Sequence, residues 1–280
     1  MNFQQKLDKI IKTNNSCVCV GLDSNFDKIP GFLKINKPVS EAIFSFNKKI
    51  VEATYDLVCA YKPNIAFYEA EGLEGLKALK KTIEFIKKKN PNLLVIVDAK
   101  RGDIGSTNIG YVKSLFDFYS FDALTVHPYL GKESLEPFLK RKDKGIIVLC
   151  RTSNPGAGEF QDLIVSNKNG KKMPLYLAIA RKVENSWNKN NNCALVVGAT
   201  YPKELAQIRK IVPAMPFLIP GIGIQGGDIK KTIQAGRNKD GRGVIINSSR
   251  GIIFSSSARN FDKIARDKTL KLKKEINKYR

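Results

Sequence analysis

The sequence predicts a (β/α)8 barrel, the TIM barrel, and three observations carry that expectation. Short apolar runs rich in Val and Ile recur eight times along the chain. Each is nearly continuous in apolar residues, the pattern of strands buried on both faces of a parallel sheet and not of half-exposed antiparallel strands. Segments of helical periodicity separate the runs, and 280 residues is the size of one large α/β domain. A doubly wound open sheet is the alternative that the same alternation permits.

In chain order the runs are Cys17 to Leu22, Leu57 to Tyr61, Leu93 to Val97, Ala123 to Val126, Gly145 to Leu149, Cys193 to Val197, Pro216 to Ile219 and Val244 to Ile246. Candidate helices lie between them at Val39 to Thr54, Gly72 to Lys89, Ile109 to Tyr119, Pro202 to Lys210 and Gly227 to Gln234. The first residues, Met1 to Thr13, are amphipathic and rich in Lys and Gln, without the apolar stretch of a signal peptide. No apolar run approaches the roughly 18 residues that span a bilayer. A soluble, cytoplasmic protein with no membrane partner is expected. No linker-like stretch divides the chain, so residues 1–280 are expected to form one barrel domain. The unusual connection is Thr152 to Tyr176, which is far longer than an ordinary βα loop. An active-site loop is expected there, followed by an excursion with a hairpin around Lys168-Asn169-Gly170.

Five cysteines (Cys17, Cys19, Cys59, Cys150, Cys193) sit inside apolar runs, with no CxxC spacing and no neighbouring histidine. They read as buried reduced thiols, not as disulfides or metal ligands. The balance of 48 basic against 26 acidic residues gives a net charge of +22, which by itself suits a polyanionic partner. Yet 37 of the 48 are Lys, scattered along the chain together with 22 Asn, as a general compositional bias produces. Nucleic-acid footprints are clustered, contain Arg and are interleaved with exposed aromatic residues. The runs Lys87-Lys88-Lys89 and Lys271 to Lys274 therefore read as solvated helix faces, and no nucleic-acid partner is expected. A basic nucleic-acid-binding protein is the alternative from another class, with steeply salt-dependent binding to duplex DNA as its signature. The positive field suits a small anionic substrate.

In a barrel of this kind the chemistry sits at the C-terminal ends of the strands. There the chain places Asp23, Lys62, Asp98 with Lys100 and Asp103, His127, Ser153, Gly198, the Gly-rich stretch Pro220 to Gly227, and Ser249-Arg250. Each has a structural reading when taken alone. Asp23 could cap a turn, Lys62 before Pro63 could be a solvated loop lysine, and His127 before Pro128 could hold a backbone carbonyl. The joint placement at one rim argues for a site. The densest group is DAKRGDIGST, Asp98 to Thr107, directly after LLVIV. If the strand continues, Asp98 and Lys100 project to the same face, since strand side chains alternate with period two. Two carboxylates beside one lysine favour its charged form, a fixed positive charge that is also a proton donor. An exposed ion-pair cluster capping the next helix is the structural alternative. Gly221, Gly223, Gly226 and Gly227 surround Gln225, and Ser249-Arg250-Gly251 follows the eighth strand. The loops after strands seven and eight are the usual phosphate site of such barrels, and this glycine spacing matches neither a dinucleotide loop nor a Walker loop. A phosphomonoester fits better.

Taken together, GLDSN, YKPN, DAKRGD, TVHPYLG, RTSNPG, VVGAT, PGIGIQGGD and NSSRGI resemble, in this order and over nearly the whole chain, the orotidine 5′-phosphate decarboxylases of the longer bacterial-type branch. The resemblance implies a homodimeric (β/α)8 barrel that converts orotidine 5′-phosphate to uridine 5′-phosphate with no metal and no organic cofactor. It implies that Asp23 and Lys62 hold ribose hydroxyls and that Ser153 meets the pyrimidine. Lys100 would donate the proton beside Asp98, while Asp103 and Thr107 would reach the neighbouring subunit's site. Gln225 and Arg250 would bind phosphate, and Pro220 and Ser249 complete the expected substrate-binding set. A magnesium-dependent sugar-phosphate decarboxylase of the same superfamily shares the Asp-x-Lys-x-x-Asp core and is the rival among enzymes; YKPN and TSNPG favour the nucleotide enzyme. The first strand begins some sixteen residues from Met1, so no attached phosphoribosyltransferase domain is expected.

Overall fold

The apolar runs form eight parallel strands of a closed barrel, in a computed structural model that describes residues 1–166, 169–222 and 226–280. They are β1 (Val18–Leu22), β2 (Ala60–Pro63), β3 (Leu94–Arg101), β4 (Ala123–Val126), β5 (Gly145–Arg151), β8 (Cys193–Val197), β9 (Phe217–Ile219) and β10 (Val244–Ser248). Between β5 and β8 the short strands β6 (Ile164–Ser166) and β7 (Lys172–Pro174) pair antiparallel outside the barrel. Around the barrel the order is β1-β10-β9-β8-β5-β4-β3-β2, each pair parallel. Both faces of these strands are covered, which is why β1, β2, β4, β8, β9 and β10 are buried at every residue.

The outer layer consists of α2 (Val39–Thr54), α3 (Ala66–Glu69), α4 (Gly72–Lys89), α5 (Gly105–Val112), α6 (Gly131–Leu139), α7 (Gly158–Gln161), α8 (Leu175–Lys182), α9 (Pro202–Ile211), α10 (Ile229–Gly236), α11 (Arg250–Ile253) and α12 (Phe261–Asn277). Before them comes α1 (Phe3–Asn14), whose start is fixed by a capping box: Gln5 N–H donates to Asn2 Oδ1 and Asn2 N–H to Gln5 Oε1, both at 2.9 Å. Its apolar side (Phe3, Leu7, Ile10, Ile11) is buried, and its Lys and Gln side chains face out. Phe3 packs where β4 and β5 begin. A Cβ at Gly145 would lie 2.6 Å from the Phe3 ring and 2.8 Å from Ala123 Cβ. The first helix therefore closes the end of the barrel opposite the strand C-termini. All five cysteines are buried and unbridged.

The structure departs from the expected boundaries mainly at strand C-termini. β2 runs from Ala60 to Pro63, so Lys62 lies inside the strand and not after it, while Leu57 and Val58 precede it. β3 continues through Arg101, β5 through Arg151 and β10 through Ser248, because ladder pairing persists where the apolar pattern has stopped. α5 starts at Gly105, ahead of Ile109. Asn108 stitches that start, accepting from Asp103 N–H at 3.1 Å and donating to the Asp103 and Ser134 carbonyls at 2.6 Å. α10 begins at Ile229, capped by Asp228, which accepts from Lys231 N–H at 3.0 Å. The hairpin in the excursion is present as β6 and β7; Lys168 lies outside the described residues.

Candidate active site

The strand ends converge on a cavity of about 460 Å³. It brings together eight of the eleven expected site residues: Asp23, Lys62, Asp98, Lys100, Ser153, Pro220, Ser249 and Arg250. Gln225 lies outside the described residues. Asp103 and Thr107 do not line this cavity: Asp103 accepts from the Ile104 N–H at 2.6 Å, and Thr107 is exposed on α5.

At the centre is a row of charges. Lys62 Nζ donates to Asp98 Oδ2 at 3.0 Å and lies 3.9 Å from Asp23 Oδ1, while Lys100 Nζ donates to Asp98 Oδ1 at 2.7 Å. The Lys62 side chain is 4% exposed and the Lys100 side chain 51%, so Lys62 is a fixed buried cation and Lys100 the one that opens to the cavity. Burial opposes the Lys62 charge most strongly, but the carboxylates of Asp98 and Asp23 outweigh it and hold this ammonium up at about 12. Burial likewise opposes the Asp98 charge, and Lys62 and Lys100 overcome it, keeping the carboxyl well below the usual carboxylate range. Burial pushes the Cys19 thiol up to about 12, so it is no ready thiolate nucleophile. Asp23 Oδ1 is buried with no hydrogen-bond partner among the described residues and faces the Lys62 ammonium at 3.9 Å.

Lys100 reaches Asp98 through a route that simple alternation does not describe. Its backbone lies in the left-handed region (φ 47°), and the register of β3 against β4 shifts between Val97 and Arg101. The two side chains meet across a bulge, not along a regular extended strand.

Close backbone approaches shape the walls. A Cβ at Gly21 would lie 2.6 Å from Ser249 Cβ, and the Ser249 hydroxyl donates to the Gly21 carbonyl at 3.0 Å, tying β1 to the start of α11. A Cβ at Gly198 would lie 2.8 Å from Ser153 Cα, so only glycine lets the Thr152–Asn154 turn lie against the end of β8. That turn is held from its far side by α7: Thr152 N–H donates to Gln161 Oε1 at 2.8 Å and Gln161 Nε2 to Thr152 Oγ1 at 2.9 Å. Arg151, buried at the end of β5, donates to Asp162 at 3.0 Å and stacks over the Tyr201 ring at 3.9 Å. His127 serves packing. Its ring fills the space where a Gly102 Cβ would stand, 2.7 Å from Nε2, and Nδ1 accepts from Tyr129 N–H instead of the ring holding a carbonyl.

Thr125, Gln161 and Asn247 are among the cavity residues that the sequence reading does not single out. Thr125 is hidden in an apolar run, Gln161 in the long excursion, and Asn247 near the end of β10, where a polar residue directly after an apolar run was the available signal. Asn247 is 7% exposed and its Oδ1 has no hydrogen-bond partner among the described residues. Chemically, a carboxylate clamped between two ammonium groups, one of them open to the cavity, can stabilise developing negative charge and deliver a proton.

A closed parallel barrel whose strand C-termini assemble such an array defines a (β/α)8-barrel enzyme. A sequence model of the orotidine 5′-phosphate decarboxylase / HUMPS family matches residues 16–261. The orotidine 5′-phosphate decarboxylase of Cellvibrio japonicus is 48% identical over 278 residues, covering 99% of this chain and 98% of its own. Among solved structures, Leishmania donovani OMP decarboxylase superposes with a TM-score of 0.84 at 37% identity, covering 100% of this chain and 98% of that one. Leishmania donovani UMP synthase does so at 0.86 and 38% identity, and this chain spans 56% of that protein's length. The chain belongs to the orotidine 5′-phosphate decarboxylase / HUMPS family.

Proposed function

We propose that the protein decarboxylates orotidine 5′-phosphate to uridine 5′-phosphate, the last step of de novo pyrimidine synthesis. The observation that carries the reading is the Lys62–Asp98–Lys100 row, with its half-exposed ammonium, in the same cavity as Arg250. Loss of CO2 breaks the bond between C6 and the carboxyl carbon and leaves the electron pair on C6, in the ring plane and outside the π system. The site must then stabilise that charge electrostatically. Lys100 supplies the positive charge and transfers its proton to C6. Asp98, held ionised, faces the substrate carboxylate and disfavours the ground state by like-charge repulsion. Asp23 and Lys62, an ion pair at the cavity, hold ribose hydroxyls. Ser153, on the turn anchored by Gln161, meets the pyrimidine, with Pro220 and Ser249 alongside. Arg250, aided by Gln225, grips the phosphate with its planar fork. Contacts to the remote phosphate then contribute to the chemical step.

A homodimer with shared sites fits the surface. α5 leaves Asn108 as its one buried residue, and apolar Ile104, Ile109, Tyr129 and Leu130 are exposed around it and at the foot of α6. A second copy would cover this patch and place Asp103 and Thr107, which lie beside it, next to the partner's cavity. A cytoplasmic location suits five unbridged thiols, and no described helix is long and apolar enough to cross a membrane. Consumption of orotidine 5′-phosphate, followed by absorbance with and without a chelator, tests the reading. Turnover that survives the chelator is expected. No turnover, or turnover that depends on added magnesium, would favour the sugar-phosphate decarboxylase chemistry instead.

A further inference from the structure

Lys100 is placed by a bulge, and one side chain sits opposite it. Val97 pairs with Leu124 and Arg101 with Val126, so Asp98, Ala99 and Lys100 on β3 face the single residue Thr125 on β4. Regular pairing would leave the amides of this surplus without ladder carbonyls. Thr125 supplies what is missing. Its hydroxyl accepts from Ala99 N–H at 3.1 Å and from Lys100 N–H at 3.0 Å, and lies 3.0 Å from Asp98 Oδ1, to which it donates. A hydroxyl has one proton and two acceptor sites, and here all three are used. Thr125 is 1% exposed, so water does not compete for any of them. The left-handed backbone of Lys100, which a residue with a side chain enters only at a cost, persists where its surroundings over-determine it.

We infer that Thr125 is a positioning residue for decarboxylation: its hydroxyl locks the bulge that aims Lys100 into the cavity and fixes the Asp98 oxygen that receives the Lys100 ammonium. Thr125 needs no contact with substrate for this. Its effect passes through the direction of the Lys100 side chain and the hydrogen-bonding of Asp98. The inference rests on the decarboxylation reading, in which Lys100 acts in the chemical step and the phosphate contacts dominate binding. Loss of the hydroxyl should therefore appear in kcat and spare affinity for uridine 5′-phosphate.

Thr125→Ser keeps the hydroxyl and loses a methyl group; Thr125→Val keeps the shape and loses the hydroxyl. Because a displacement of about 1 Å at a reacting group costs on the order of a hundredfold, Thr125→Val should lower kcat by about that factor while KM and the product Kd stay within about threefold of wild type. Thr125→Ser should retain kcat within about threefold. Since valine leaves two buried amides without acceptors, circular dichroism and the thermal midpoint are read alongside. If valine yields no folded protein, Thr125→Cys is compared with Thr125→Ser, near-isosteric side chains that differ in hydrogen-bonding strength, and kcat for cysteine is expected at least about tenfold lower. Equal kcat for the hydroxyl-bearing and hydroxyl-free variants, or a fall in kcat matched by the same fall in product affinity, would overturn the positioning role. A wild-type enzyme without turnover in the same assay would overturn the decarboxylation reading itself.

Discussion

Lys62 and Asp98 are charges that burial would expel if either stood alone, and each holds the other in place. Lys62→Met strips that compensation from Asp98 and should lower the unfolding free energy by about 3 kcal/mol at neutral pH, read by denaturant titration. Equal stability of the two proteins would mean that the pair contributes nothing to the fold. The pH dependence follows from the shifts. Lys62 is held at about 12, above the ~10.4 of an unfolded lysine, so its contribution is complete below about 10.4 and is lost as pH rises through about 12. The gap between wild type and Lys62→Met should narrow over that window. Asp98 runs the other way: its carboxyl is depressed, so its contribution is complete above about 3.9 and fades as pH falls toward the depressed value. Lys100, half exposed, has a different task. In the proposed mechanism it acts on a charge that ground-state binding does not contain, so Lys100→Ala should abolish turnover yet leave binding of uridine 5′-phosphate measurable by calorimetry. Turnover within about tenfold of wild type would remove Lys100 from the chemistry.

The turn after β5 shows how an element carries a site that no single residue explains. Gln161 on α7 makes two hydrogen bonds to Thr152, and Gly198 lets the turn lie against β8. Gln161→Ala should raise KM for orotidine 5′-phosphate by about tenfold, the worth of one to two hydrogen bonds, with the thermal midpoint little changed. An unchanged KM would mean that the turn keeps its shape without α7. Elements also show which signals the chain displays openly. Continuous apolar runs mark all eight barrel strands, because a strand covered on both faces must be apolar throughout. The same rule cuts β2, β3, β5 and β10 short, since Lys62, Asp98, Arg151 and Asn247 are polar yet remain strand residues: Lys62 and Asp98 pair with each other, Arg151 pairs with Asp162, and Asn247 lines the cavity. Helix α6 escaped notice because Pro137 interrupts its pattern, and the basic face at Lys271 to Lys274 was legible without the full extent of α12. Thr125 looked like an ordinary strand threonine, since its partners are backbone amides that only the bulge exposes. Thr107 carries no local mark of a site, and only the resemblance of the whole decapeptide singles it out; Asp103 stands out as a second carboxylate near Lys100, yet nothing local to it marks a role in a neighbouring subunit.

For the whole molecule, the proposed dimer rests on the exposed apolar side chains around α5 and on Asp103 lying outside its own chain's cavity. If Asp103 completes the partner's site, mixing Lys100→Ala with Asp103→Ala subunits should restore activity to two inactive parents. In a two-fold dimer, about half of randomly reassorted pairs are mixed and each has one intact site, so about a quarter of wild-type activity is expected. Mixtures that exchange subunits by mass spectrometry and stay inactive would rule out shared sites. The net charge of +22 adds a field that draws an anionic nucleotide to the rim and weakens with salt. The central claim, that the lysine-carboxylate row replaces a carboxylate at C6 with a solvent-exchangeable proton, is tested most directly by running the reaction in D2O and recording the proton NMR spectrum of the product. Uridine 5′-phosphate labelled with deuterium at C6 and nowhere else is expected; product bearing ordinary hydrogen at C6, or no uridine 5′-phosphate at all, would contradict that claim.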